Sequence, residues 1–344
     1  MQNGQKLINT YKKIILLETF PKIYKLMINR YKKILILYFF MLLSFESFSN
    51  ELKIAVLKFG SVNWELDVLK HHELDKKFNL SLKTIQMTNK DAAAIAFLSD
   101  SVDIFVTDWI WVSKQRYLGN KVTFLPYSTA AGALIIKNSN QITDINDLKN
   151  KKVGIAGGSI DKSWLFFRAF FKKKYGEEAN IFFKISFAAP PLINGLLKTG
   201  DLDAGINYWN YIARLESQGF KSIINIEDIL PVLGIKGDLP LIGYVFKEEL
   251  LTKDYDLVKR FLNATNQSRK ILEESDNEWN RIMKLTGAKN KDMLITIRNG
   301  FRKGIPKSNI EILNENIIKA YDVLKDIGGK QLVGEGEHLA KGTI

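Results

Sequence analysis

Four pairs of identical residues stand at one fixed spacing. Trp64 and Trp164, Asp103 and Asp203, Trp109 and Trp209, and Gly119 and Gly219 are each 100 positions apart, and Trp111 is echoed by the aromatic Tyr211. Solenoid repeats run about 20–50 residues, so this period predicts two similar lobes instead. The flanking patterns agree. Leu52–Leu57 and Val153–Ala156 are short apolar runs that end in Gly60-Ser61 and Gly157-Gly158-Ser159, and both read as buried strands entering loops. Asp103–Thr107 and Asp203–Asn207 form a second matched strand pair. Helical patterns follow at 91–98, 109–118, 192–198 and 209–218, with Thr107 or Asp108 and Asn207 as candidate N-caps. Gly119 and Gly219 fall where a helix C′ residue takes positive φ. Alternation of this kind predicts an α/β chain with mostly parallel sheets flanked by helices.

At 344 residues and 46% apolar, the chain has material for two cores of ordinary size. It has no cysteine, which excludes disulfides, thiolate metal sites, thiol catalysis and a lipid-modified N-terminal cysteine. Its three histidines are His71, His72 and His338. The adjacent pair reads as part of an exposed helix, so neither a metal nor a cofactor is expected.

The net charge of +13 resembles that of a nucleic-acid binder until it is located. Residues 1–49 carry eight basic residues against two acids, which leaves +7 spread over the rest. The longest basic run there, Lys172-Lys173-Lys174, reads as a solvated helix face, and no nucleic acid partner is expected.

Residues 27–50 have the layout of an export signal. Arg30, Lys32 and Lys33 precede a 12-residue apolar run from Ile34 to Phe45, and Ser47 and Ser49 are small residues placed for cleavage after Ser49. The apolar run is short of the roughly 20 residues of a spanning helix. The expected start is Met27, and the expected location is the periplasm, without a lipid anchor. The expected organisation is 1–49 as N-terminal extension and signal peptide, 50–138 as lobe 1, and 139–239 as lobe 2. Residues 240–344 return to lobe 1 and add C-terminal helices, with ALIIK (133–137) and LIGYVF (241–246) as the crossovers.

In open parallel sheets, ligands bind beyond the carboxyl ends of the strands. Trp64, Trp109, Trp164 and Trp209 all follow such ends, and predict facing aromatic walls across a cleft. The competing reading is that they seal the lobe cores, as tryptophan usually does. The segment Gly157 to Trp164 adds close backbone approach, Ser159 as a donor and Lys162 as a cation at a helix start. Asp108 and Asp161 read either as plain caps or as partners for a ligand amine. Ser128 lies in a further loop at a strand end, and Tyr208 adjoins Trp209.

Together, LKIAVLKFGSVNW, FLSDSVDIFVTDW, ITDINDLKNKKVGIAGGS and LLKTGDLDAGINYW resemble the nitrate/sulfonate/taurine-type substrate-binding proteins of ABC importers. That group includes binders of thiamine-pyrimidine precursors. Residues 142–153 look like the family's entry to the second lobe, with Asn150 where glycine is usual, and Gly200–Ala204 is similar to its G-x-x-D-A turn. The resemblance spans about residues 52–246. It implies the two-lobed periplasmic binding protein fold of type II, with two crossover strands as a hinge. It also implies ligand contact at Ser61, Trp64, Asp108, Trp109, Ser159, Trp164 and Trp209, and no catalytic residue. The partners implied are an ABC permease and ATPase, with a monomeric binding protein. The dense tryptophan set departs from an inorganic-anion binder. It points to a small organic solute: a sulfonate, an aromatic or pyrimidine compound, or an amine. Two alternatives share the fold: an extracytoplasmic sensor partner, and an enzyme resembling pyrimidine-precursor synthases. The enzyme would need iron-binding histidines and cysteines that this chain lacks.

Overall fold

The computed structural model describes residues 51–58, 60–138 and 142–344. The expected export signal and its cleavage site lie outside them. Among the described residues no helix is long and apolar enough to cross a membrane.

The first lobe begins with β1 (Leu52–Leu57), α1 (Val62–His71), β2 (Leu82–Met87), α2 (Lys90–Leu98), β3 (Ile104–Thr107), α3 (Trp109–Tyr117) and β4 (Val122–Ser128). The second lobe contains β5 (Ala133–Lys137), β6 (Lys152–Ala156), α4 (Lys162–Tyr175), β7 (Lys184–Ala188), α5 (Pro190–Thr199), β8 (Ala204–Asn207), α6 (Trp209–Glu216) and β9 (Phe220–Asn225). After β10 (Ile242–Lys247), the chain is helical: α7 (Tyr255–Glu274), α8 (Asp276–Thr286), α9 (Lys291–Lys303) and α10 (Ile310–Val333).

The two five-stranded sheets have one topology, β2-β1-β3-β10-β4 and β7-β6-β8-β5-β9. In each, one strand runs antiparallel to both neighbours: β10 in the first and β5 in the second. The duplicated aspartates explain part of the repeat. Asp103 Oδ2 accepts from the Lys53 backbone N–H at 2.7 Å, and Asp203 Oδ2 accepts from that of Lys152 at 2.8 Å. In each lobe the Asp N–H returns a bond to the same lysine's carbonyl, so the carboxylate closes the start of the strand pair.

Asn150 adopts φ +60, which accounts for the glycine that the resemblance places there. Asparagine is one of the few side-chain residues that tolerate the left-handed region.

The structure corrects three expectations. β5 belongs to the second sheet, so the chain crosses before Ala133 and not at 138. Asn207 is not the cap of α6: it sits one residue early, accepting from the Tyr208 N–H and donating to Pro190 O and Asn194 Oδ1. The C-terminal helices do not return to the first lobe alone. Gly300 of α9 lies against the Trp209 ring, Arg214 of α6 donates to Thr286 O of α8, and Gly328 of α10 lies against Leu165 of α4. One core joins Phe105 and Trp109 of the first lobe to Trp164 and Phe166 of the second through Tyr321 and Leu324 of α10.

Candidate functional site

Strand ends from both sheets deliver charged residues to one place. Asp108 follows β3 and caps α3, accepting from the Trp111 N–H at 3.0 Å. Asp161 follows β6 and caps α4, accepting from the Ser163 N–H at 2.9 Å. Lys162 is the first residue of α4, and its Nζ lies 2.6 Å from Asp108 Oδ2, joining one lobe to the other. Both side chains are mostly buried, 13% and 12% exposed, so solvent screens this pair less than a surface ion pair. Lys90, the first residue of α2, stands within electrostatic reach of Lys162, Asp108 and Asp161.

The protonation balance follows from this crowding. Burial alone would raise the Asp108 carboxyl, but Lys162 and then Lys90 outweigh it and hold it below its ordinary value. For Asp161, burial wins over the same two lysines, and its pKa is raised. The like charge of Lys162 lowers the ammonium of Lys90, a residue that stays exposed to solvent. Tyr208, at the carboxyl end of β8, has its phenol raised by burial and then by Asp161.

Gly157 makes this approach possible. Its φ is +87°, and a Cβ there would stand 2.4 Å from the Tyr208 hydroxyl and 2.9 Å from Asp161 Oδ2. Glycine is required on both counts.

The remaining expected residues divide. Trp209 is half-buried and meets Trp64 edge-on across the lobes, with centroids 5.8 Å apart. The other three tryptophans do not form open walls. Trp109 is fully buried, its indole N–H donating to Pro240 O at 2.7 Å, so it pins the second crossover. Trp164 is buried and stacks on Phe167 with an interplanar angle of 19°. Trp64 is buried against Trp279 and Phe301, and only an edge reaches Trp209. The apolar area gained by sealing cores places these rings, as is usual for tryptophan.

Ser61 is buried at the start of α1 and makes no cap hydrogen bond. Near it lies a buried set: Glu65, bonded to Tyr244 and Arg269, and Tyr127, whose ring packs against Tyr244 and under the Arg269 guanidinium. Ser128 turns inward at the crossover, its Oγ accepting from the Ala130 N–H while its carbonyl accepts from the Leu241 N–H. Ser159 is exposed in the loop before α4. Asp108, Asp161, Lys162 and Tyr208 therefore converge, Trp209 flanks them, and Lys90 is the residue that sequence reasoning missed. Its position after a strand's carboxyl end was the available signal.

Two mixed five-stranded sheets of like topology, with helices on their faces and charged residues between their strand ends, define the two-lobed periplasmic binding protein fold. The chain belongs to the NMT1/THI5-like family, whose model matches residues 70–277. The alkanesulfonate-binding protein SsuA of Xanthomonas axonopodis pv. citri, bound to MOPS, superposes with a TM-score of 0.63 at 16% identity, covering 85% of this chain and 96% of that one. The periplasmic aliphatic sulphonate binding protein SsuA of Escherichia coli gives 0.63 at 16%, covering 83% and 94%. An ABC transporter protein from Parabacteroides distasonis gives 0.64 at 12%, covering 85% and 98%. No curated protein sequence matches the chain.

Proposed function

We propose that this chain is the periplasmic solute-binding component of an ABC importer, that it captures a small organic solute between its lobes, and that it is not an enzyme. The observation that carries this reading is the meeting of Lys162 and Asp108 from opposite lobes, with Lys90, Asp161 and Tyr208 around them. The likeness of the fold to that of import-system binding proteins supports it.

Magnitudes favour a charged or strongly polar solute. Micromolar binding needs about 8 kcal/mol. With Trp109 and Trp164 inside the cores, stacking contributes little beyond the roughly 1 kcal/mol of one ring edge. A charge-assisted hydrogen bond contributes about 1.5–3 kcal/mol, and this cleft presents two ammonium and two carboxyl groups. Sulfonates, charged pyrimidines and amines satisfy that chemistry. Closure then follows as a population shift, because the solute binds better where both lobes reach it. Delivery is to a permease and its ATPase, by a monomeric protein exported through residues 27–49.

The test is a thermal-shift screen of sulfonates, aromatic acids, pyrimidines and small amines, followed by small-angle scattering with the hit. A rise in Tm with a compacted envelope supports the reading. No hit in any class, or an unchanged envelope at saturation, counts against it.

A further inference from the structure

We propose that His71, His72 and Glu278 form a binding site for a divalent transition metal of the zinc type, where the end of α1 meets the start of α8. His71 is the last residue of α1, His72 follows it, and Glu278 lies in the first turn of α8. One ligand atom from each can be chosen so that all three lie within 4.8 Å of one another. Nothing in the spacing of the sequence connects Glu278 with the histidine pair more than 200 positions earlier; the packing of α8 against α1 does.

The donor set has the right chemistry. Two imidazoles and one carboxylate leave a fourth position for water, a combination that suits zinc. Donors around a tetrahedral zinc stand about 3.3–3.5 Å apart, given bonds of roughly 2.0–2.1 Å. His72 Nε2 and Glu278 Oε2 are already 3.2 Å apart. His71 and His72 are exposed side chains whose rings stand 5.0 Å apart at 89°, so a modest rotation of His71 completes the set.

Glu278 is held for the task. Its carboxylate is mostly buried, and Arg281 grips the other oxygen, Oε1, with Nε at 2.7 Å and Nη2 at 2.6 Å. Oε2 is left turned to the imidazole. Asp67, one helical turn before His71, pairs with the same guanidinium and offsets its charge. Orientation of a ligand carboxylate by an outer partner is a regular feature of metal sites. The C-terminal end of α1 adds partial negative charge that favours a cation. The site lies at the C-terminal end of α1, about 15 Å along the helix from its start, and shares no residue with the solute cleft.

Isothermal titration calorimetry of the full chain with zinc chloride tests the proposal. One zinc per chain is expected. His71→Ala and His72→Ala should each weaken binding at least tenfold, the double variant should abolish it, and Glu278→Gln should weaken it by a similar factor. Zinc should also raise the Tm of the parent chain and leave that of the double variant unmoved. Both histidines are exposed, so the double variant folds, and an unchanged Tm without zinc checks this. Absence of binding in the parent chain overturns the site. Binding that survives the double variant, or that is indifferent to Glu278→Gln, overturns it as well.

Discussion

Lys162 Nζ lies 2.6 Å from Asp108 Oδ2, and this ion pair ties the first turn of α4 in one lobe to the cap of α3 in the other. On the proposed function, a charged solute entering between the lobes would compete with this contact or extend it.

Asp108→Asn separates charge from capping, since asparagine caps as well as aspartate. We expect the solute-induced thermal shift to be lost. Apo stability should fall by about 1–3 kcal/mol, because Lys162 then keeps Lys90 as a neighbour without its closest counter-ion. Urea titration of the apo variant and thermal shift with the screening hit measure the two effects. A variant that binds as the parent does would remove Asp108 from the site.

Asp161→Asn has the opposite sign in stability. The folded pKa of Asp161 is raised, so the native state binds the extra proton and stability falls as pH rises from about 3.9 through the folded value. The penalty is absent below the unfolded pKa and grows as pH rises above it. The variant should therefore be more stable than the parent at pH 7, with the gap closing toward pH 4. Urea midpoints from pH 4 to pH 8 measure it. Asp108 runs the other way: its lowered pKa gives stability that is present above about pH 4 and lost on further acidification.

Trp109→Ala and Trp209→Ala should part company. Trp109 is fully buried and its indole N–H is bonded to Pro240 O, so the truncation should cost about 3–5 kcal/mol of apo stability. Trp209 is only half-buried, so its truncation should cost less and should weaken solute binding instead. Equal losses of apo stability in denaturant melts would contradict the placement of the two rings.

Gly157→Ala introduces a methyl group where φ is +87° and the Tyr208 hydroxyl would be 2.4 Å away. Loss of about 1–2 kcal/mol is expected from the backbone alone. Tyr208→Phe in the same background should recover part of it, as read by thermal melts of the four corners of the cycle.

The strands, the duplicated halves and the caps Asp108 and Asp161 were legible because they depend on local chemistry. A β-branched run ending in glycine, or an aspartate before an aromatic helix start, carries its own signal. The fate of the tryptophans was not legible. Trp109 and Trp209 occupy equivalent positions, yet one finds Pro240 and Tyr321 and the other finds Gly300. Those partners come from segments outside the repeat, so periodicity cannot distinguish the two rings. Lys90 was overlooked for a related reason: a lysine at a helix start looks like solvated surface until Lys162 and Asp108 are brought beside it from distant strands.

Among the strands, β4 is bonded only to β10 and β9 only to β5; β5 to β9 lie in one continuous stretch of chain, whereas β10 reaches the first sheet only after the whole second lobe. Severing the chain after residue 138 would strand β4 without a ladder neighbour and would remove β5 from between β8 and β9. Neither fragment then carries a whole sheet. The first sheet is complete only when chain from beyond the second lobe comes back as β10, so its closure must wait for nearly three quarters of the polypeptide.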